Sequence, residues 1–176
     1  VKCAINGCLQ ALEAAGRSTL DVPILVSLTI EQTGTMLLGT NIAAAVAALR
    51  RFPIASLGLN CATGPREMLP HMEYLSRHWD RLISCVPNAG LPVLVEGRTE
   101  FPLGPEAMAE TVTAVVRDLG VDIVGGCCGT GGDHIEAIVN GVRSVTRAAR
   151  DFSLPPASCA SLYTPMEYRQ EQSFFI

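Results

Sequence analysis

Four short apolar, β-branched runs, each followed by a glycine-rich or polar loop and then by a helical stretch, constrain this chain more than any other feature. The runs cover residues 24–30, 55–61, 82–87 and 121–126, and the helical stretches cover 41–51, 65–78, 104–118 and 132–148. A further helix is predicted over 2–15, where apolar residues recur at helical spacing and stop at Gly16. A helix between two strands returns the chain to the same end of the sheet, so the strands pair parallel, and a parallel sheet needs cover on both faces. The units share no close sequence identity, so the repetition is architectural. The fold class is α/β.

In such folds the loops at the C-terminal ends of the strands carry the chemistry. Here one of them is Gly125-Gly126-Cys127-Cys128-Gly129-Thr130, which puts two neighbouring thiols where a strand gives way to a glycine turn. Tight packing alone would be served as well by glycine or alanine, so the pair points to a metal. Cys61 closes its own run, 55–61, at the equivalent end. If the sheet closes into a barrel, strand ends far apart in sequence converge on one rim and the three thiols can meet.

Soft thiolates in a tetrahedral site select zinc. Three protein ligands with an open fourth position make a catalytic site, whereas four make a structural one. An ordinary thiol, with a pKa near ~8.5, is mostly protonated at neutral pH, and zinc deprotonates it. Three thiolates over-neutralise the ion, so a substrate thiolate added to them keeps much of its nucleophilicity. That favours alkyl transfer to sulfur over hydrolysis by metal-bound water. The competing reading is a closed structural zinc module, for which Cys85 is the fourth cysteine nearest the rim.

The remaining reactive residues have plainer readings. Cys3, Cys8, Cys85 and Cys159 read as small packing or incidental thiols. His134 opens a helix and reads as a capping-turn residue, while His71 and His78 are expected to face solvent. Asn88, in Pro87-Asn88-Ala89-Gly90, is either a turn residue or a contact to metal or substrate. Thr29 and Glu31 end the first run on the same rim and are candidate substrate contacts.

Thirteen basic against seventeen acidic residues, with no basic cluster beyond pairs, leave no electrostatic footprint for nucleic acid or an anionic membrane. The most apolar run, 41–49, is too short to span a bilayer, and no signal peptide pattern opens the chain. Seven cysteines, an odd number without the spacing of a disulfide scaffold, fit a reducing cytoplasm.

Taken in order, Gly58-Leu59-Asn60-Cys61-Ala62-Thr63-Gly64-Pro65, Pro87-Asn88-Ala89-Gly90-Leu91-Pro92 and the glycine-cysteine run at 125–130 resemble the zinc-dependent homocysteine S-methyltransferases. The resemblance extends to about residue 150. It implies a (β/α)8 TIM barrel of which this chain holds only about the last four β/α units, with Cys61, Cys127 and Cys128 at the zinc-ligand positions. Asn88 matches a position that can supply an oxygen ligand in cobalamin-dependent members when homocysteine is absent. Residues 151–176, from a Pro/Ser linker to Phe174-Phe175-Ile176, are similar to the connection into a folate-binding barrel in those members. The implied reaction transfers a methyl group to homocysteine to give methionine. Its donor is methylcobalamin bound by other modules of the same polypeptide, or, in other branches of the family, betaine or S-methylmethionine. A half barrel on its own is expected to be poorly stable and inactive.

Overall fold

The computed structural model describes residues 1–169, so Phe174-Phe175-Ile176 lies outside the described residues. The order of elements is α1 (Lys2–Ala14), β1 (Leu25–Leu28), α2 (Ile42–Leu49), β2 (Ser56–Asn60), α3 (Pro65–His78), β3 (Leu82–Val86), β4 (Val93–Val95), β5 (Arg98–Glu100), α4 (Pro105–Leu119), β6 (Ile123–Val124), α5 (Gly132–Arg143), β7 (Ser158–Ala160) and β8 (Pro165–Glu167). β1, β2, β3 and β6 lie side by side in chain order, and each pair is parallel. The alternating α/β architecture is the one the sequence predicts.

Local chemistry sets the helix ends. Asn41 caps α2 by accepting the N–H of Ala44 at 2.8 Å. α3 and α4 each open on a proline, whose missing N–H costs nothing in the first turn. Gly120 closes α4 in the left-handed conformation. α5 stops at Arg143 rather than 148, because the following chain turns back onto α4: Ala148 N–H donates to Val116 O and Arg147 to Gly120 O.

Strand alternation sorts the side chains into two faces. Val26, Leu28, Leu57, Leu59, Ile83 and Cys85 form one core with Val46, Leu49, Met68, Met72 and Leu75 of α2 and α3. The opposite rows run Leu25, Ser56, Leu82 and Ser27, Gly58, Ser84, Ile123. This second face is only partly covered, unlike the sequence prediction: Leu25 is 56% exposed and Leu82 45%, while Ser56 and Ser84 are buried. It is also mostly small and polar, so the strands alternate where a sheet buried on both sides would read as a continuous apolar run.

Two hairpins differ from the sequence reading. β4 and β5 pair antiparallel across Glu96-Gly97, both at positive φ, within what reads as a loop. β7 and β8 pair around Ser161 and Thr164, whose main chains are hydrogen-bonded. This second hairpin packs on α2, with Thr40 Oγ1 donating to Leu162 O and Asn41 N–H to Tyr163 O. α2 is apolar nearly all round because it lies between the sheet and this hairpin.

His71 and His78 do not face open solvent. Both are half-buried, and the returning chain reaches His78 through Ser153, whose carbonyl lies 3.0 Å from Nδ1. At the rim where the strands begin, Arg81 donates to the carbonyls of Arg50, Phe52 and Ile54. Arg150 donates there to those of Trp79 and Arg81 and pairs with Asp122 at 3.8 Å.

Candidate metal centre

Cys61 is the first residue past β2, and the turn that begins with it is left-handed: φ is 62° at Cys61 and 57° at Ala62. Neither residue is glycine, so the turn holds strain that surrounding bonds must fix. Cys61 N–H donates to Val86 O at 3.1 Å, Thr63 N–H to Cys61 O at 2.7 Å, and Asn88 N–H to Thr63 O at 3.0 Å. The loop after β2 is thereby tied to the loop after β3. The same loops touch at Gly64, where a Cβ would meet Gly90 Cα at 2.9 Å.

The second cysteine turn is held from β3 as well. Cys127 N–H donates to Pro87 O at 2.7 Å, Ala89 N–H to Cys128 O at 2.9 Å, and Cys128 N–H to the side-chain oxygen of Asn88 at 3.1 Å. Thr130 closes the turn, its hydroxyl donating to Cys127 O at 2.6 Å. Gly129 has φ +78°, and a Cβ there would overlap the ring of Phe101. A side chain at 129 is excluded twice over, by conformation and by contact.

These turns bring the three sulfurs together. Cys61 Sγ lies 3.7 Å from Cys128 Sγ, Cys127 Sγ lies 3.9 Å from Cys128 Sγ, and all three fall within 4.8 Å of one another. Tetrahedral bonds of about 2.3 Å to zinc separate two ligand sulfurs by about 3.8 Å. The sulfurs are unbonded to each other and stand at the spacing a single soft cation requires.

Among the described residues no fourth Cys, His, Asp or Glu joins the cluster. Cys85 cannot close it, because its side chain is on the helix-facing side of β3, with its thiol 4.0 Å from Met68 Sδ, and burial pushes that thiol up to about 12. Cys128 is exposed, so the cluster opens to solvent.

Electrostatics divides the trio. Cys61 is held below the usual thiol range, chiefly by the N–H of Ala62, with Cys128, Cys127 and Asn88 adding hydrogen bonds. Cys128 is pushed up to about 11 by its hydrogen bonds with Cys61 and Cys127 and by their charge. The hydrogen bonds of the trio thus favour negative charge on the Cys61 sulfur over that of Cys128.

The other predicted positions fall around this rim. Asn88 is buried between the cysteine turns. Thr29 and Glu31 follow β1, half-buried, and Glu31 stands outside the sulfur cluster; Glu31 N–H donates to Thr35 O at 2.9 Å within its own loop. His134 caps α5, accepting Gly131 N–H at Nδ1, with Nε2 2.9 Å from Leu103 O. Cys3, Cys8 and Cys159 are exposed and lie apart from the site. The β4–β5 hairpin turns on Glu96-Gly97 and carries no clear strand signal in the sequence, since β5 is the polar Arg98-Thr99-Glu100. A cavity of about 560 Å³ lies between α2 and Ala160–Leu162 and holds none of the three cysteines.

Comparison with known proteins agrees with this arrangement. A family model described as homocysteine S-methyltransferase matches residues 3–142. The methionine synthase of Mycobacterium tuberculosis is 42% identical over 176 residues, which is 100% of this chain and 14% of that protein. That of Mycobacterium leprae is 42% identical over 178 positions, covering 98% of this chain and 14% of its own length. The chain thus spans about 14% of the length of these curated relatives. No helix among the described residues is long and apolar enough to cross a membrane. With the family model extending from α1 through the second cysteine turn into α5, the chain belongs to the homocysteine S-methyltransferase family.

Proposed function

We propose that residues 1–150 are the metal-bearing, C-terminal half of a homocysteine-binding (β/α)8 barrel, and that 151–176 lead into a folate-binding module of the same polypeptide. The reaction is transfer of a methyl group to the thiolate of homocysteine, giving methionine, with methylcobalamin carried by another module as donor. The observation that carries this reading is the convergence of three sulfurs from two strand ends within 4.8 Å on an open rim. The family match and the printed name of the mycobacterial relatives, methionine synthase, support it.

Cys61, Cys127 and Cys128 would hold zinc, which when bound supplies the Lewis acidity that keeps a substrate thiol ionised at neutral pH. The rest is the work of the chain. The Ala62 N–H stabilises the Cys61 thiolate, and the turn hydrogen bonds hold both cysteine turns against the loop after β3. Exposure at Cys128 leaves the rim open to a large donor module. Thr29 and Glu31, on the same rim, are assigned to contacts with homocysteine. The uncovered face at Leu25 and Leu82 takes the remaining strands of the barrel, so this segment alone is inactive. Thiolate ligands persist under reducing conditions, in keeping with a cytoplasmic location.

The test uses the full-length polypeptide that carries this chain. It should hold one zinc at this site and methylate homocysteine from methylcobalamin. Cys61→Ala, Cys127→Ala and Cys128→Ala should each lose metal and methyl transfer together. Stoichiometric tight zinc in Cys127→Ala would sink the three-ligand site, and turnover only with betaine or S-methylmethionine would move the chain to another branch of the family.

A further inference from the structure

The hairpin of β4 and β5 is a two-stranded sheet of its own, and every residue of both strands is exposed. One of those strands is Val93-Leu94-Val95, with Leu94 77% exposed. A lone two-stranded ribbon is marginal in water, and an open apolar strand invites a partner. The ribbon is anchored at its base all the same. Leu103 N–H donates to Ala89 O at 3.0 Å, joining the chain before and after the hairpin, and Phe101 packs where a Cβ at Gly129 would overlap it, against the second cysteine turn.

The loop after β1 holds a second exposed apolar point. Met36 N–H donates to Thr40 O at 2.8 Å and Gly39 N–H to Met36 O at 2.7 Å, so Leu37 and Leu38 form the centre of a tight turn, 85% and 72% exposed. Turn centres favour glycine, proline and small polar residues. Met36 packs against the core and Gly39 lies against the Tyr163 ring, so the turn is pinned with both leucines outward. In the sheet order β1, β2, β3, β6 the loops after β1 and β3 stand on either side of the loop that holds Cys61. A body resting on both covers the open side of the sulfur cluster.

We propose that Leu37, Leu38 and Val93–Val95 form an apolar docking surface for the methylcobalamin-bearing module of the same polypeptide. The proposal rests on the donor assigned above. A methyl group reaches the sulfurs only from a donor seated over this rim, where Cys128 is exposed. Five apolar side chains fall well short of the roughly 20–30 residues a side of a stable free complex. They suit a tethered partner, whose effective concentration is on the order of mM, so that weak contacts suffice. The curated relatives leave room for one, since this chain is 14% of their length.

The experiment places Leu94→Asp and Leu37→Asp, at positions too exposed to carry the fold, in the full-length polypeptide. Methyl transfer to homocysteine is measured from module-bound methylcobalamin and, in protein prepared without cobalamin, from free methylcobalamin, with zinc content and molecular mass read alongside. Each variant should lose about tenfold or more with the module-bound donor. Zinc content and transfer from free methylcobalamin should stay at the wild-type level. A wild-type rate from the module-bound donor in either variant would overturn the proposal. Equal losses with both donors would overturn it too, assigning the residues to the barrel itself, as would a dimeric wild type that the variants make monomeric, assigning them to a second copy. Failure of the donor reading looks different: wild type would then transfer no methyl group from either form of cobalamin, and the docking surface would fall with it.

Discussion

The sulfurs of Cys61 and Cys128 lie 3.7 Å apart although 67 positions separate them in the chain. One closes β2 and the other follows β6, and β3 lies between those strands in the sheet. The loop after β3 is what joins them, through Val86 O, Pro87 O, Asn88 and Ala89.

This proximity fixes the sign of a pH effect. Cys128, pushed up to about 11, is protonated at neutral pH, whereas a metal takes only thiolates. Zinc uptake should therefore release at least one proton, and affinity should rise about tenfold per pH unit for each proton released. Chelator competition between pH 6.5 and 8 measures the slope; a flat profile would contradict it.

Gly129→Ala should destabilise the site by ~1–3 kcal/mol, because φ is +78° and the new methyl overlaps the Phe101 ring. Phe101→Gly in the same protein, which removes the Cβ as well as the ring, should relieve the overlap and leave the conformational part. A urea series on the single and double variants separates the two, and equal midpoints would show that the contact contributes nothing.

At Ala62 the left-handed backbone, φ 57°, sets an order among substitutions. Glycine should be tolerated, while valine should cost about 1–2 kcal/mol, since a β-branched side chain is the worst fit there. Thermal midpoints read the order, and zinc content should fall with valine because the Ala62 N–H is the first partner of the Cys61 sulfur.

Two arginines test where charge matters. Arg150, 9% exposed, serves two carbonyls and Asp122, so Arg150→Met should lose about 2–3 kcal/mol by leaving buried acceptors unpaired. Arg117 pairs with Asp118 at 2.6 Å, but both are more than half exposed, and Arg117→Met should leave the urea midpoint where it was. Similar losses in the two variants would contradict this assignment.

The sequence by itself determined the alternation of strand and helix and the placement of Cys61, Cys127 and Cys128 at strand ends. Each depends on residues a few positions apart: the hydrophobic period, a glycine where a strand turns. What only the tertiary structure decided depends on which distant segment lies alongside. The shielding of His78 comes from Ser153, the cover on α2 from β7 and β8, and the exposure of Leu25 and Leu82 from helices packing on one face of the sheet. Asn88 reads as a turn residue or a ligand in one dimension. Its bond to Cys128 N–H exists only once three parallel strands stand in register, because a hydrogen bond is satisfied by geometry and not by separation along the chain.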